Sequence, residues 1–128
     1  MKELLHEEIT SQVIGAAIDV HKALGPGFLE SVYEGALVHE LALRGLSFER
    51  QVRVPIFYKN VQVCTHILDL VIENKIIVEL KSIHTFAEVH QAIVLSYLSA
   101  TQLPVALMIN FGQPKLDMKR LVGRKHSA

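Results

Sequence analysis

The chain has 128 residues, half of them hydrophobic, with 13 Lys and Arg balanced by 13 Asp and Glu. This length suits one domain, spanning 1–128, with a real core. Zero net charge excludes a protein that holds long duplex by bulk electrostatics, because phosphate neutralisation dominates non-specific affinity. Cys64 is the single cysteine, which excludes an internal disulfide framework. With no Trp and few aromatics, aliphatic side chains must fill the interior, leaving room for an apolar contact in a homo-oligomer. The segment Met1–Ile9 mixes Lys2, Glu3, Glu7 and Glu8 with apolar residues. It does not read as a signal peptide, and no apolar run approaches membrane-spanning length. The expected address is the cytoplasm, with no membrane partner.

Ile9, Val13, Ala16, Ala17, Val20 and Leu24 fall on one face of a helix, and Gly25-Pro26-Gly27 stops it. A second helix is expected from Phe28 to Arg44, ended by Gly45. Phe48 to Tyr58 and Val61 to Ile72 read as strands joined by a Lys59-Asn60 turn. Glu73-Asn74-Lys75 turns the chain into a third strand, Ile76 to Lys81. A third helix fits Phe86 to Ala100, with Phe86, Val89, Ile93, Tyr97 and Ala100 along one side. Val105 to Ile109 is a short buried strand, Phe111 to Pro114 a loop, and Lys115 to Val122 a last strand. From about Gly123 the chain reads as a basic tail. The order α-α-β-β-β-α-β-β predicts an α/β domain in which helices flank a mixed sheet.

The middle of that sheet carries the chemistry. If Ile72 faces Ile76 across a three-residue loop, Leu70 faces Val78 and Asp69 sits opposite Glu79. Alternation then puts Lys81 on the face of Glu79. A two-residue turn would instead separate the two acids. Like charges placed opposite each other destabilise a strand pair, and burying an unpaired carboxylate costs several kcal/mol or forces it to take up a proton. Such a cluster calls for a compensating cation, either Lys81 or a divalent metal. A buried ion-pair cluster without chemistry fits the same spacing. Glu30 lies in the first turn of the second helix, in line with Tyr33, Leu37 and Leu41, where the helix dipole alone also favours an acid.

Other features are blander. The seven histidines form no zinc spacing. His90 shares a helix face with Ile93 and Tyr97 and reads first as a packed histidine. Lys115, Lys119, Arg120, Arg124 and Lys125 make the C-terminal region basic, as a phosphate contact or a solvated terminus. Cys64 has no partner histidine nearby in sequence and reads as a strand residue. There is no Gly-rich phosphate loop.

The blocks GPGFLESVYEGAL (Gly27, Glu30, Tyr33), LDLVIENKIIVELKS (Asp69, Glu79, Lys81), HQAIVLSYL (His90, Tyr97) and LMINFG resemble the GxxExxY family, a branch of the PD-(D/E)XK nuclease superfamily. The likeness runs from Ile9 to Val122. It implies a restriction-endonuclease-like core and a metal-dependent nuclease acting on DNA or RNA. Asp69, Glu79 and Glu30 would hold Mg²⁺ or Mn²⁺ directly or through waters. Lys81 would act on the attacking water or the phosphate, and Tyr97 and His90 would lie on the substrate side. Two positions depart from the pattern. Leu68 stands where the superfamily name has Pro. Ile93 stands where a Gln often precedes the Tyr by four residues, so the alternative is a catalytically impaired module that binds nucleic acid or protein.

Overall fold

A computed structural model describes residues 5–123. The first four residues and the basic positions Arg124 and Lys125 lie outside the described residues. Helices α1 (Glu7–Leu24) and α2 (Glu30–Leu43) precede strands β1 (Phe48–Tyr58), β2 (Val61–Ile72) and β3 (Ile76–Lys81). Helix α3 (Glu88–Thr101) then leads to β4 (Val105–Asn110) and β5 (Asp117–Val122). The expected element order and mixed sheet are both present.

The strands lie side by side in chain order, β1-β2-β3-β4-β5. All neighbours are antiparallel except β3 and β4, and this parallel pair is joined by the long crossover through α3, as parallel pairing requires. Glycine-free turns make the hairpins: Lys59 and Asn60 have φ of 47° and 67°, and Glu73 and Asn74 have φ of 53° and 54°. In the second turn the Lys75 amide donates to the Ile72 carbonyl at 3.0 Å. The Ile72–Ile76 register follows.

Each face of the sheet has its own core. Val13, Ala16, Ala17 and Val20 of α1 and Tyr33, Leu37 and Leu41 of α2 pack on Leu70, Ile72, Ile76, Val78, Leu80 and alternate residues of β4. On the other face Val94 and Leu98 of α3 pack on Leu68, Val71, Ile77, Ala106 and Met108. Covered on both sides, β3 and β4 read as almost continuous apolar runs.

Helix α3 departs from expectation in two ways. It begins at Glu88, because Ala87 is extended (φ −105°, ψ 160°) and donates its amide to His90 Nδ1 at 2.8 Å. Its buried stripe is Val94 and Leu98, whereas Val89 and Ile93 are 59% and 40% exposed. Apolar residues occupy most sides of this helix, so periodicity does not select a face; the sheet does. The last strand starts at Asp117 rather than Lys115, where pairing with Asn110 begins.

Tyr33 ties the front of the molecule together. Its ring stacks on Phe111 just beyond β4, at 4.5 Å between centroids and 9° between planes. Its hydroxyl donates to the Gly25 carbonyl at 2.5 Å and accepts from the Phe28 amide at 3.2 Å. The loop so held passes through Gly25 and Gly27 at φ of 69° and 113°, angles that glycine adopts without a Cβ penalty. Tyr33→Phe keeps the stacking but leaves Gly25 and Phe28 short of a partner. It should lower stability by about 1–3 kcal/mol, read as a reduced urea midpoint at unchanged slope.

Candidate active site

Strands β2 and β3 are paired from Ile72–Ile76 to Leu70–Val78. One step further, where Asp69 and Glu79 stand level, the ladder ends. There the Asp69 side chain replaces a backbone acceptor, its Oδ2 receiving the Leu80 amide at 2.9 Å. Side-chain alternation also slips here. Leu68 packs in the α3-side core with Val71, while Leu70 and Ile72 pack on the other face. On β1 the residue level with this slip is Gln51, with φ of 49°, and it lies in a gap in the β1–β2 pairing between Arg50–Leu70 and Val52–Leu68. The two acids thus meet at a local defect in the sheet, not within a regular ladder.

Glu79 stands on the α3 face, level with Met108 of β4. It is buried, only 6% exposed, and its Oε1 has no hydrogen-bond partner. Burial raises its pKa from the usual carboxylate value to about 8. The negative charge of Asp69 and a side-chain hydrogen bond with it push in the same direction. The positive charge of Lys81 and the Asp69 backbone amide offset only part of this. Lys81 is half-buried. Ion pairs among the described residues join Arg44 to Asp19 and Glu40, and Arg50 to Glu34; none uses Lys81.

Tyr97 of α3 belongs to the same neighbourhood. Its phenol is held above the usual pKa by burial and then by the charges of Glu79 and Asp69, so it keeps its proton as a hydrogen-bond donor. His66 packs edge-on against the Tyr97 ring, with centroids 4.9 Å apart. No local pattern in the chain marks His66, because its proximity to Tyr97 depends on how α3 packs over the sheet. Ser82, just past Lys81, donates its hydroxyl to the Phe28 carbonyl at 2.8 Å, docking the loop before α2 onto the end of β3.

The structure therefore gathers Asp69, Glu79, Lys81 and Tyr97. It does not gather Glu30 with them: among the described residues no three His, Cys, Asp or Glu side chains are grouped to hold one ion. Glu30 is the exposed first residue of α2, a helix whose buried side packs on the opposite face of the sheet. His90 is the reciprocal cap of α3, its Nδ1 engaged by Ala87 and its ring 6.4 Å from that of Phe86. Ile93, at the position where a Gln was expected, is partly exposed.

A restriction-endonuclease-like fold with two acids and a lysine at the break between its central strands defines a nuclease-type domain. The chain belongs to the PD-(D/E)XK nuclease superfamily, whose family model matches residues 7–121, from the first residue of α1 to the penultimate residue of β5. No curated protein and no solved structure matches it. Among the described residues no helix is long and apolar enough to cross a membrane.

The raised pKa of Glu79 has a consequence for stability. Between the ordinary value of 4.5 and about 8 the folded state holds a proton that the unfolded chain releases. Metal-free stability should therefore fall as pH rises through that window and level off above it. Glu79→Gln should flatten the slope and raise the melting temperature at pH 8 by at least about 5 °C. Melting curves from pH 5 to 9 for both proteins check this; parallel profiles would contradict it.

Proposed function

We propose that this protein is a divalent-metal-dependent nuclease that hydrolyses phosphodiester bonds of DNA or RNA, within the GxxExxY branch of its superfamily. The observation that carries the reading is Glu79 Oε1, a buried carboxylate oxygen with no partner beside a second carboxylate. A structural ion pair would have satisfied it. Mg²⁺ or Mn²⁺ suits this donor set, since such ions take a few carboxylate oxygens and fill the remaining positions with water and substrate phosphate. Membership of the branch rests on Gly27, Glu30 and Tyr33, of which Gly27 and Tyr33 shape the loop ahead of α2.

Asp69 and Glu79 would hold the ion. Once bound, it supplies charge neutralisation and Lewis acidity toward a phosphodiester. Asp69 commits one oxygen to the Leu80 amide and keeps the other for ligation. Glu79 gives up its proton when a cation arrives. Lys81, outside any ion pair among the described residues, orients the attacking water or stabilises charge on the phosphate. Tyr97 donates a hydrogen bond on the substrate side, with His90 further along α3. Glu30, exposed on the helix that packs against the other face of the sheet, has no place among the ligands.

A second reading, a binding module that has lost catalysis, is favoured by Ile93 and by the separation of Glu30 from the two acids. It predicts partner binding without binding of Mn²⁺ or Mg²⁺ at millimolar concentration.

Labelled single- and double-stranded DNA and RNA, incubated with Mg²⁺ or Mn²⁺, should be cleaved by the wild type. Glu79→Ala and Lys81→Ala should each lose at least about 100-fold in kcat. Equal activity in all three proteins would refute the assignment. Because ligation displaces the Glu79 proton, Mn²⁺ affinity should rise by up to roughly tenfold per pH unit below about pH 8 and then plateau. Titration of free Mn²⁺ by electron paramagnetic resonance measures this.

A further inference from the structure

We propose that Asn110, at the end of β4, is a positioning residue that sets the Lys81 ammonium for its reaction. This rests on the nuclease reading above and adds a residue to it. Asn110 is fully buried and is the ladder partner of Lys81 across the parallel β3–β4 pair. By alternation from Met108 it stands on the same face as Glu79 and Lys81.

Its side chain spends its hydrogen bonds on the segment that follows Lys81. Oδ1 accepts from the Ile83 amide at 3.0 Å and from the Gly112 amide at 2.9 Å, and Nδ2 donates to the Ile83 carbonyl at 3.0 Å. The Phe111 amide donates to the Lys81 carbonyl at 2.8 Å. The turn Lys81-Ser82-Ile83 is thus pinned at its two ends, by Phe111 at Lys81 and by Asn110 at Ile83, and the Gly112 amide in turn holds the Asn110 oxygen. Close approach requires the glycine: a Cβ on Gly112 would lie 2.3 Å from the Ile83 oxygen and 2.4 Å from its nitrogen.

Such a clamp is needed for a physical reason. Strand β3 ends at Lys81, so beyond it no sheet ladder holds the backbone. A lysine has a long flexible stem, and a loose backbone beneath it would spread the ammonium over many positions. Reaction geometry tolerates displacements of only a fraction of an ångström without loss of rate. Asn110 removes the backbone part of that freedom. A neutral amide does so because it accepts twice through its oxygen and donates through its nitrogen, as the site demands of a single side chain.

Kinetics with Mn²⁺ test the proposal through Asn110→Ala and the near-isosteric Asn110→Leu, which keeps the volume and removes both the acceptor and the donor to Ile83. Each should lower kcat by about 30-fold or more, with KM and Mn²⁺ affinity changed less than about threefold. In a Lys81→Ala background, Asn110→Ala should cost no more than about a further threefold, since two residues acting as one unit are not additive. An equal loss with and without Lys81, or weakened Mn²⁺ binding in both variants, overturns the proposal. If Asn110→Ala does not fold, the Leu variant alone decides by the same comparison. If the wild type cleaves nothing, the nuclease reading fails, and amide hydrogen exchange becomes the measurement. Ile83 and Phe111 should then exchange at least about tenfold faster in Asn110→Leu while Ile77 and Val78 stay unchanged; unaltered exchange at Ile83 and Phe111 overturns the clamp.

Discussion

A carboxylate that is 6% exposed, with an oxygen lacking any partner, is the constraint around which this molecule is organised. In an apolar interior such a group is tolerated only if it holds a proton or meets a cation. Glu79 sits between these outcomes, with Asp69 raising the cost of its charge and Lys81 reducing it. The raised pKa of Glu79 is the direct expression of this electrostatic conflict, and under the function proposed above a divalent ion would compete with the proton for the same oxygens.

The sheet accommodates this conflict by breaking at one level. The β2–β3 ladder stops at Leu70–Val78, alternation slips between Leu68 and Leu70, and Asp69 takes up the Leu80 amide that would otherwise be left without an acceptor. Two hydrophobic cores, one under α1 and α2 and one under α3, hold the flanking residues in place and make the break affordable. Small defects of this kind in sheets re-aim side chains, and they are common beside active sites.

Around the acids, hydrogen bonds tie together chain segments distant in sequence. Tyr33 secures the loop between α1 and α2 and stacks on Phe111. Ser82 holds Phe28, and Asn110 holds Ile83. The block LMINFG at the end of β4 therefore does more than finish a strand. It supports both the lysine that follows Glu79 and the tyrosine behind the Glu30 loop.

The order of elements, the strand bounds of β1 to β3 and the hairpin register that brings Asp69 level with Glu79 could all be read along the chain. Each is carried by local signals: turn residues at Lys59-Asn60 and Glu73-Asn74, uninterrupted apolar runs, and the two-residue period of a strand. Tertiary structure decided the rest. The buried stripe of α3 could not be read because apolar residues occupy most of its sides. Side-chain alternation fails at Asp69, where a strict two-residue period does not hold. Glu30 lies in line with the buried stripe of its helix, yet it is exposed at the first turn while Tyr33, Leu37 and Leu41 are buried. His66 and Asn110 were invisible because their partners come from α3 and from the turn after β3. Periodicity reports what a residue does within its own element; whether two elements place their side chains at one point depends on packing angles that no local pattern encodes.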